Sequence, residues 1–330
     1  MLKGHAFSYN NVGDIMLRTK ALRKIFITTL SLFVLLVAFS IPNMETSNVL
    51  RTNLEIEEVS SLSTNSIYLL NKDGYLVKSR IFIDSSDKRE QIAKILSNLT
   101  INSSNSFSNG LSALIPEGTV VREIIYGQKL VTVNFSKKIL KVTKDMEKQM
   151  VAAIVYSIMD LGDIKGVSIL VEGESLLSYP NSGERLPSTL DRSIGINKSY
   201  DITSRDNISK VVIYYITQID GDKYYVPVTK YLNDEREKIK IIVEELTTSY
   251  IHEANLMSFL NSNVALLDYK EENNVMFLNF NDYLFDNNDK LLEEVIYSLA
   301  YSVFDNYDVN MVMFEVNNEE IRYISKKSLN

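Results

Sequence analysis

Hydrophobic positions fall into the same succession of patterns twice along the chain. Each copy opens with two apolar runs joined by a turn. "SIYLL" passes through Asn71-Lys72-Asp73-Gly74 into "YLVKSRIFI", and "VVIYYI" passes through Asp220-Gly221 into "KYYVPVTKYL". Asp-Gly between apolar runs predicts a hairpin, because glycine accepts a positive φ at little cost. "DKREQIAKILSNL" and "DEREKIKIIVEEL" follow, with Asp87 and Glu90, and Asp234 and Glu237, at N-cap and N3 spacing. Ile92, Ile95, Leu96 and Leu99 match Ile239, Ile242, Val243 and Leu246. The i, i+3, i+4, i+7 spacing predicts one buried stripe on each helix.

A second hairpin then ends in Val131, Val133 and Phe135, or in Met276, Leu278 and Phe280, alternating with outward residues. Phe277 breaks the polar half of that alternation. The next helix carries Val151, Ile154, Val155 and Ile158 against Leu292, Val295, Ile296 and Leu299, with "VYS" and "IYS" as apparent landmarks. A last strand alternates as Val167, Ile169, Val171 or Val312, Phe314, Val316, and ends at Gly173 or Asn318. The order ββαββαβ, twice, predicts an α+β fold: two tandem α/β sandwich domains, each with two helices on a mostly antiparallel sheet. The domains are expected at 66–178 and 209–325, each compact by itself, with a closing segment and linker at 179–208. Pro180, Gly183, Pro187 and Gly195 predict little regular structure at 180–205, which is expected to be the main proteolytic site unless it packs as the closing segment of the first copy.

Residues 25–41, "IFITTLSLFVLLVAFSI", carry no charge and about a dozen strongly apolar side chains. At ~0.3–0.6 kcal/mol each, membrane insertion is favoured by roughly 4–7 kcal/mol. Arg18, Lys20, Arg23 and Lys24 precede this run, and Glu45, Glu55, Glu57 and Glu58 follow it. The positive-inside bias predicts a single-pass anchor with 1–24 in the cytoplasm and the body outside. The alternative is a secreted protein cleaved near Ser40, after the small-x-small sequence Ala38-Phe39-Ser40. "MLRTKALRK" makes Met16 a candidate start, and 42–65 reads as a polar stalk.

Composition removes several chemistries. There is no cysteine, so thiol catalysis, disulfides, sulfur-ligated zinc and a lipid-modified cysteine are excluded. The two histidines are His5 and His252. His252-Glu253 lacks the second histidine of a zinc-protease helix, since Leu256 stands at i+4. A net charge of −7 argues against nucleic acid as a partner. No catalytic, cofactor-binding or metal-ligating set emerges. Glu172 and Glu174 straddle Gly173, where period-two spacing puts both on one strand face as solvated acids. Asn134 and Ser136 recur as Asn279 and Asn281, side chains that hydrogen-bond the backbone where a strand turns. Of 19 tyrosines, Tyr214, Tyr215, Tyr224 and Tyr225 gather in one hairpin. They are the candidate interaction surface, against the plainer reading of β-propensity.

The strand "VTVNFS" (131–136), the helix "MVAAIVYSIMDL", the ending "IKGVSILVEGE" and the segment "LSYPNSGERLPSTLDR" resemble the sporulation and spore-germination domain of the GerM family. Their duplication behind an export sequence is also similar to that family's layout. The second copy diverges, with Asn281 for Ser136 and "VNNEE" for "VEGE". The resemblance implies a domain like the ring-building modules of sporulation channels. It further implies a non-enzymatic assembly or adaptor factor between the mother-cell and forespore membranes. Its implied partners are membrane-anchored envelope or channel proteins, or further copies of itself. The alternative is an envelope glycan-binding module or a carboxylate-dependent cell-wall enzyme using Glu172, Glu184 or Asp191. A cleft lined by two facing carboxylates would favour the enzyme.

Overall fold

The computed structural model describes residues 63–102, 107, 110–248, 255–286 and 288–329. The expected cytoplasmic region, the segment 25–41, most of the stalk, His5, His252 and Glu253 lie outside the described residues. Among the described residues no helix is long and apolar enough to cross a membrane.

The first copy opens with β1 (Ser63–Asn71) and β2 (Leu76–Ile83), paired antiparallel from Ser63↔Ile83 to Leu70↔Leu76. Helix α1 (Lys88–Leu99) follows, then the short β3 (Leu111–Ser112). Next come β4 (Val121–Gly127), β5 (Leu130–Phe135), α2 (Glu147–Met159), β6 (Gly166–Val171) and β7 (Glu174–Ser175). A joining strand β8 (Ser199–Asp201) leads to the second copy, with β9 (Ile208–Ile219), β10 (Asp222–Asn233) and α3 (Lys238–Thr248). It ends with β11 (Leu266–Glu272), β12 (Val275–Phe280), α4 (Glu293–Asn306), β13 (Met311–Val316) and β14 (Glu319–Ser325).

The strands of each copy divide between two sheets, where one was expected. β4-β5-β6-β7 and β11-β12-β13-β14 are separate four-stranded sheets, with β5–β6 and β12–β13 parallel across the intervening helix. A strand–helix–strand crossover allows the parallel pairing, which a tight turn cannot. Beyond Gly173 and Asn318 each chain returns as an extra strand. Glu172 and Gly173, like Asn317 and Asn318, hold positive φ in the two-residue turn. The two opening hairpins join a single six-stranded sheet, in which β2 meets β10 at Tyr225↔Lys78 and β8 lies parallel to β10.

The two copies share this sheet, and Ser60–Asn330 forms one compact unit. Only one residue pair bridges β2 and β10, and the linker supplies what is missing. Asn197 Oδ1 accepts from Leu76 N–H at 2.9 Å, while its amide donates to Leu76 and Pro227 carbonyls at 2.8 Å. Pro227 has no N–H to offer, and its carbonyl faces this seam, so the proline spares the β9–β10 ladder. The linker holds little regular structure, a 3-10 turn at Arg192–Ile194 and β8, yet it packs as a closing segment. Val167 and Leu190 exchange backbone bonds at 2.8 Å. A Cβ at Gly166 would lie 2.6 Å from Thr189 Cγ2, so the closing segment rests directly on β6.

The predicted helix stripes are buried except at Leu292, which is half-buried at the N-cap of α4, and both α2 and α4 exceed a stripe. Met150–Ile158 is buried without interruption because α2 packs against β1 as well as β6. Asp87 caps α1 by accepting from Arg89 N–H and Glu90 N–H. Asp234 instead binds Arg236, and α3 begins only at Lys238.

Candidate functional site

The helices α2 and α4 carry the same words one copy apart: Tyr156-Ser157-Ile158-Met159-Asp160 and Tyr301-Ser302-Val303-Phe304-Asp305. Ser157 Oγ accepts from Tyr68 N–H at 3.0 Å, and Ser302 Oγ accepts from Tyr214 N–H at 2.9 Å. Each serine thus takes the place of a neighbouring strand along the outer edge of β1 or β9. The true counterpart of "VYS" is "AYS" at 300–302, and "IYS" at 296–298 lies one helical turn early. A four-residue slip leaves the same face toward the core, so hydrophobic periodicity alone cannot detect it.

This duplicated word ends in two carboxylates that meet across the contact between copies. Tyr68 Oη donates to Asp160 at 3.1 Å, Tyr214 Oη donates to Asp305 at 2.9 Å, and the two phenols lie 3.3 Å apart. Lys78 Nζ reaches Asp160 at 2.5 Å. Arg192, from the linker, bonds Asp160 and grips both Asp305 oxygens at 2.8 Å. The guanidinium also covers the Tyr156 ring, 4.7 Å from its centroid, and Lys78 covers Tyr301 at 4.6 Å. Side-chain exposure is 5% for Lys78, 6% for Asp160, 10% for Asp305 and 23% for Arg192. These charges are affordable in the interior only because they are paired and hydrogen-bonded.

A cleft of about 700 Å³ opens over this network, with Asp160 and Asp305 in its wall. Its remaining lining includes Asp163 and Lys165 from one copy and Asp308 and Lys326 from the other. A facing pair of carboxylates is thus present, but Asp160 is not poised for acid catalysis. Burial would raise Asp160, yet Lys78 and Arg192 outweigh it and hold the carboxyl below its ordinary value. A general acid needs the opposite shift to keep its proton near neutral pH. Burial, with Asp160 and Asp305 nearby, pushes the Tyr68 and Tyr214 phenols up, so both remain neutral donors.

Of the sequence-level candidates, Asp191 and Tyr214 line the cleft, and Glu172, Glu174, Glu184, Tyr215, Tyr224 and Tyr225 are not in its lining. Glu172 lies in a turn, where it accepts from Arg122 and from Lys137 N–H at 2.8 Å, while Glu174 begins β7. The turn separates two acids that uninterrupted strand spacing would align. Glu184 pairs with Lys148, and Asp191 caps the turn that carries Arg192. Tyr214 and Tyr215 are buried, so neither belongs to an exposed surface. They face both sides of β9, whose two faces are covered. Tyr215 donates to Glu245 at 3.1 Å. Tyr225 is half-buried against Tyr297 and Tyr301, and Tyr224 is half-buried beside it. The matched polar residues do secure the backbone: Asn134 accepts from Gly173 N–H, Asn279 from Asn318 N–H, Ser136 from Val120 N–H and Asn281 from Ala265 N–H. Among the described residues no group of three or more His, Cys, Asp or Glu side chains could hold a metal ion.

The duplicated topology and its closing segment now stand beside direct comparisons. The family described as "Germane: Sporulation and spore germination" matches residues 66–177 and 212–322. The chain belongs to the Germane family. Spore germination protein GerM of Bacillus subtilis (strain 168) is 24% identical over 270 residues, which cover 79% of this chain and 73% of that protein. The solved tandem GerMN domains of the sporulation protein GerM from Bacillus subtilis share the fold with a TM-score of 0.71 at 24% identity. That match covers 78% of this chain and 92% of the other. The Germane fold thus occurs here as a tandem pair in a mixed α+β body. Two members of the network fall in the segments by which the sequence resembles the family, Asp160 in "MVAAIVYSIMDL" and Arg192 at the end of "LSYPNSGERLPSTLDR", whereas Lys78 and Asp305 lie outside them.

Proposed function

We propose that this Germane protein is a non-enzymatic, membrane-tethered assembly or adaptor factor of sporulation or germination. It acts in the envelope between mother cell and forespore, with its N-terminus in the cytoplasm and its body outside. The observation that carries this reading is the saturated network between the copies. Its carboxylates are committed to Lys78, Arg192 and two phenols, which suits a rigid body presenting surfaces better than a site cycling protons. The enzyme alternative loses its best-placed acids for the same reason. Resemblance to ring-building modules supports contacts with envelope or channel proteins, or with further copies, through exposed strand edges.

Tethering fits this role because anchoring raises the effective concentration near membrane-bound partners. A flexible stalk of the length of 42–65 reaches roughly 25–30 Å. Fractionation of sporulating cells tests the proposal. The protein should pellet with membranes, require detergent for release, and co-purify with envelope proteins after crosslinking. Full sporulation and germination from an exported, freely soluble body would overturn the tethering. Loss of function on Asp160→Asn or Asp305→Asn, with melting behaviour and crosslinked partners unchanged, would restore the enzyme reading.

A further inference from the structure

A second pocket, of about 370 Å³, lies away from the cleft between the end of the β1–β2 turn, the start of α2 and the linker. Its size falls within the range of small-molecule sites. Lys144, Lys148 and Lys198 line it against a single acid, Asp145, in a chain whose overall charge is −7. Lys148 is paired with Glu184. Lys144 and Lys198 have no ion-pair partner among the described residues. Lys198 packs its Cε over Gly195, and a Cβ at that glycine would approach it to 3.1 Å. Partial burial, then the like charge of Lys148, lowers the Lys198 ammonium from its usual value.

The walls add uncommitted hydrogen-bonding groups and ring surface. Tyr75, Tyr179 and Tyr200 contribute phenols. Tyr200 is 62% exposed and stacks one face on Tyr231, with centroids 5.0 Å apart, leaving its other face open. Gln149, also in the wall, has a buried amide oxygen without a hydrogen-bond partner. Whichever way that amide is turned, one of its ends awaits a ligand or a water. Ammoniums and phenols outnumber acceptors here, so the fitting ligand is rich in acceptors and negatively charged.

We propose that this pocket binds a sugar-sized anion, a saccharide bearing a carboxylate or phosphate. Lys144 and Lys198 take the charged group, the phenols take hydroxyls, and the open face of Tyr200 takes the ring. The site is independent of the adaptor role and uses none of the acids of the enzyme alternative. Ligand-observed NMR on the full-length chain tests it with glucuronate, glucose 6-phosphate and neutral glucose at fixed ionic strength. One or both charged sugars should bind saturably and glucose at least tenfold more weakly; the better of the two identifies the charged group. Lys198→Met or Tyr200→Ala should weaken binding about tenfold, corresponding to 1.4 kcal/mol, and Lys290→Gln, at an exposed lysine elsewhere, should not. Lys144→Gln, at an exposed position, serves if Lys198→Met does not fold. The proposal is overturned by absence of saturation with both charged sugars, by equal binding of glucose, or by equal weakening in Lys290→Gln.

Discussion

Arg192→Met removes the one side chain that, among the described residues, bonds both carboxylates of the network. Asp305 then keeps one donor, Tyr214, and Asp160 keeps Lys78 and Tyr68. Breaking a buried ion pair from one side costs about 3–5 kcal/mol when the remaining charge stays dry. Arg192 is nearly a quarter exposed and borders the cleft, so water can reach the carboxylate it leaves. That screening brings the expected loss to about 2–3 kcal/mol. Asp160→Asn should cost more, about 3–5 kcal/mol, because it strands Lys78, which is only 5% exposed. At about 2–4 °C per kcal/mol for a body of this size, Arg192→Met lowers the melting temperature by about 5–10 °C.

Thermal and urea unfolding followed by circular dichroism would measure both losses. The double variant Arg192→Met/Asp305→Asn should lose less than the sum of its parts, since both single changes remove the same ion pair and each strands its other member. Lys78→Met/Asp160→Leu should come closer to wild type than Asp160→Asn, because an apolar pair carries no stranded charge. Losses under about 0.5 kcal/mol for both single variants, or strict additivity in the cycle, would refute the view that this network holds the copies together.

Acid should act through the same carboxylate: Asp160 titrates lower in the folded chain than in the unfolded one, so its stabilisation is complete above the ordinary carboxylate value near 4. It is lost as pH falls through the depressed folded value; urea midpoints should drop below about pH 4 and do so less steeply in Lys78→Met/Asp160→Leu. Asn197→Ala removes three bonds across the β2–β10 seam and should cost about 2–3 kcal/mol, with faster amide exchange at Leu76; unchanged protection there would discount the seam. The fragment 206–330 loses β2, Lys78 and Arg192 from its boundary, so it should not melt cooperatively by itself; a sharp transition would return the copies to separate domains.

Local rules carried the sequence reading as far as single elements. Alternation at Val131, Val133 and Phe135 and the stripe Ile92, Ile95, Leu96 and Leu99 mark faces that are indeed buried. Sheet membership was not legible, because alternation reports which face of a strand is covered and not which strand lies beside it. The β2–β10 junction rests on one residue pair and an asparagine from the linker, neither of which leaves a periodic signal. The four tyrosines of the second hairpin were open to two readings, an interaction surface and plain β-propensity, because tyrosine suits both strands and interfaces. In the folded chain Tyr214 meets Tyr68 and Tyr225 pairs with Lys78 across the contact between copies, whereas Tyr215 bonds Glu245 within its own copy. The most informative signal was the repeated Tyr-Ser-x-x-Asp, which a one-turn slip in the helix alignment concealed.

The network also explains why the two copies stand in one chain. Two tyrosines and two aspartates are related by the repeat, but their counter-ions are not. Lys78 faces Tyr68 across the first hairpin, and the corresponding partner of Tyr214 is Pro227, which has no charge to offer. A symmetric pair of first copies would bring two lysines to the axis, and a pair of second copies would bring none. The missing cation comes instead from Arg192, in the segment that joins the copies, and that same segment supplies Asn197 to the sheet. Covalent linkage fixes one arginine per two carboxylates and places it at their shared boundary. With Pro227 at the lysine's place in the second hairpin, the cation on Asp305 is Arg192, and a second copy associating as a separate chain without the joining segment would leave Asp305 with no cation.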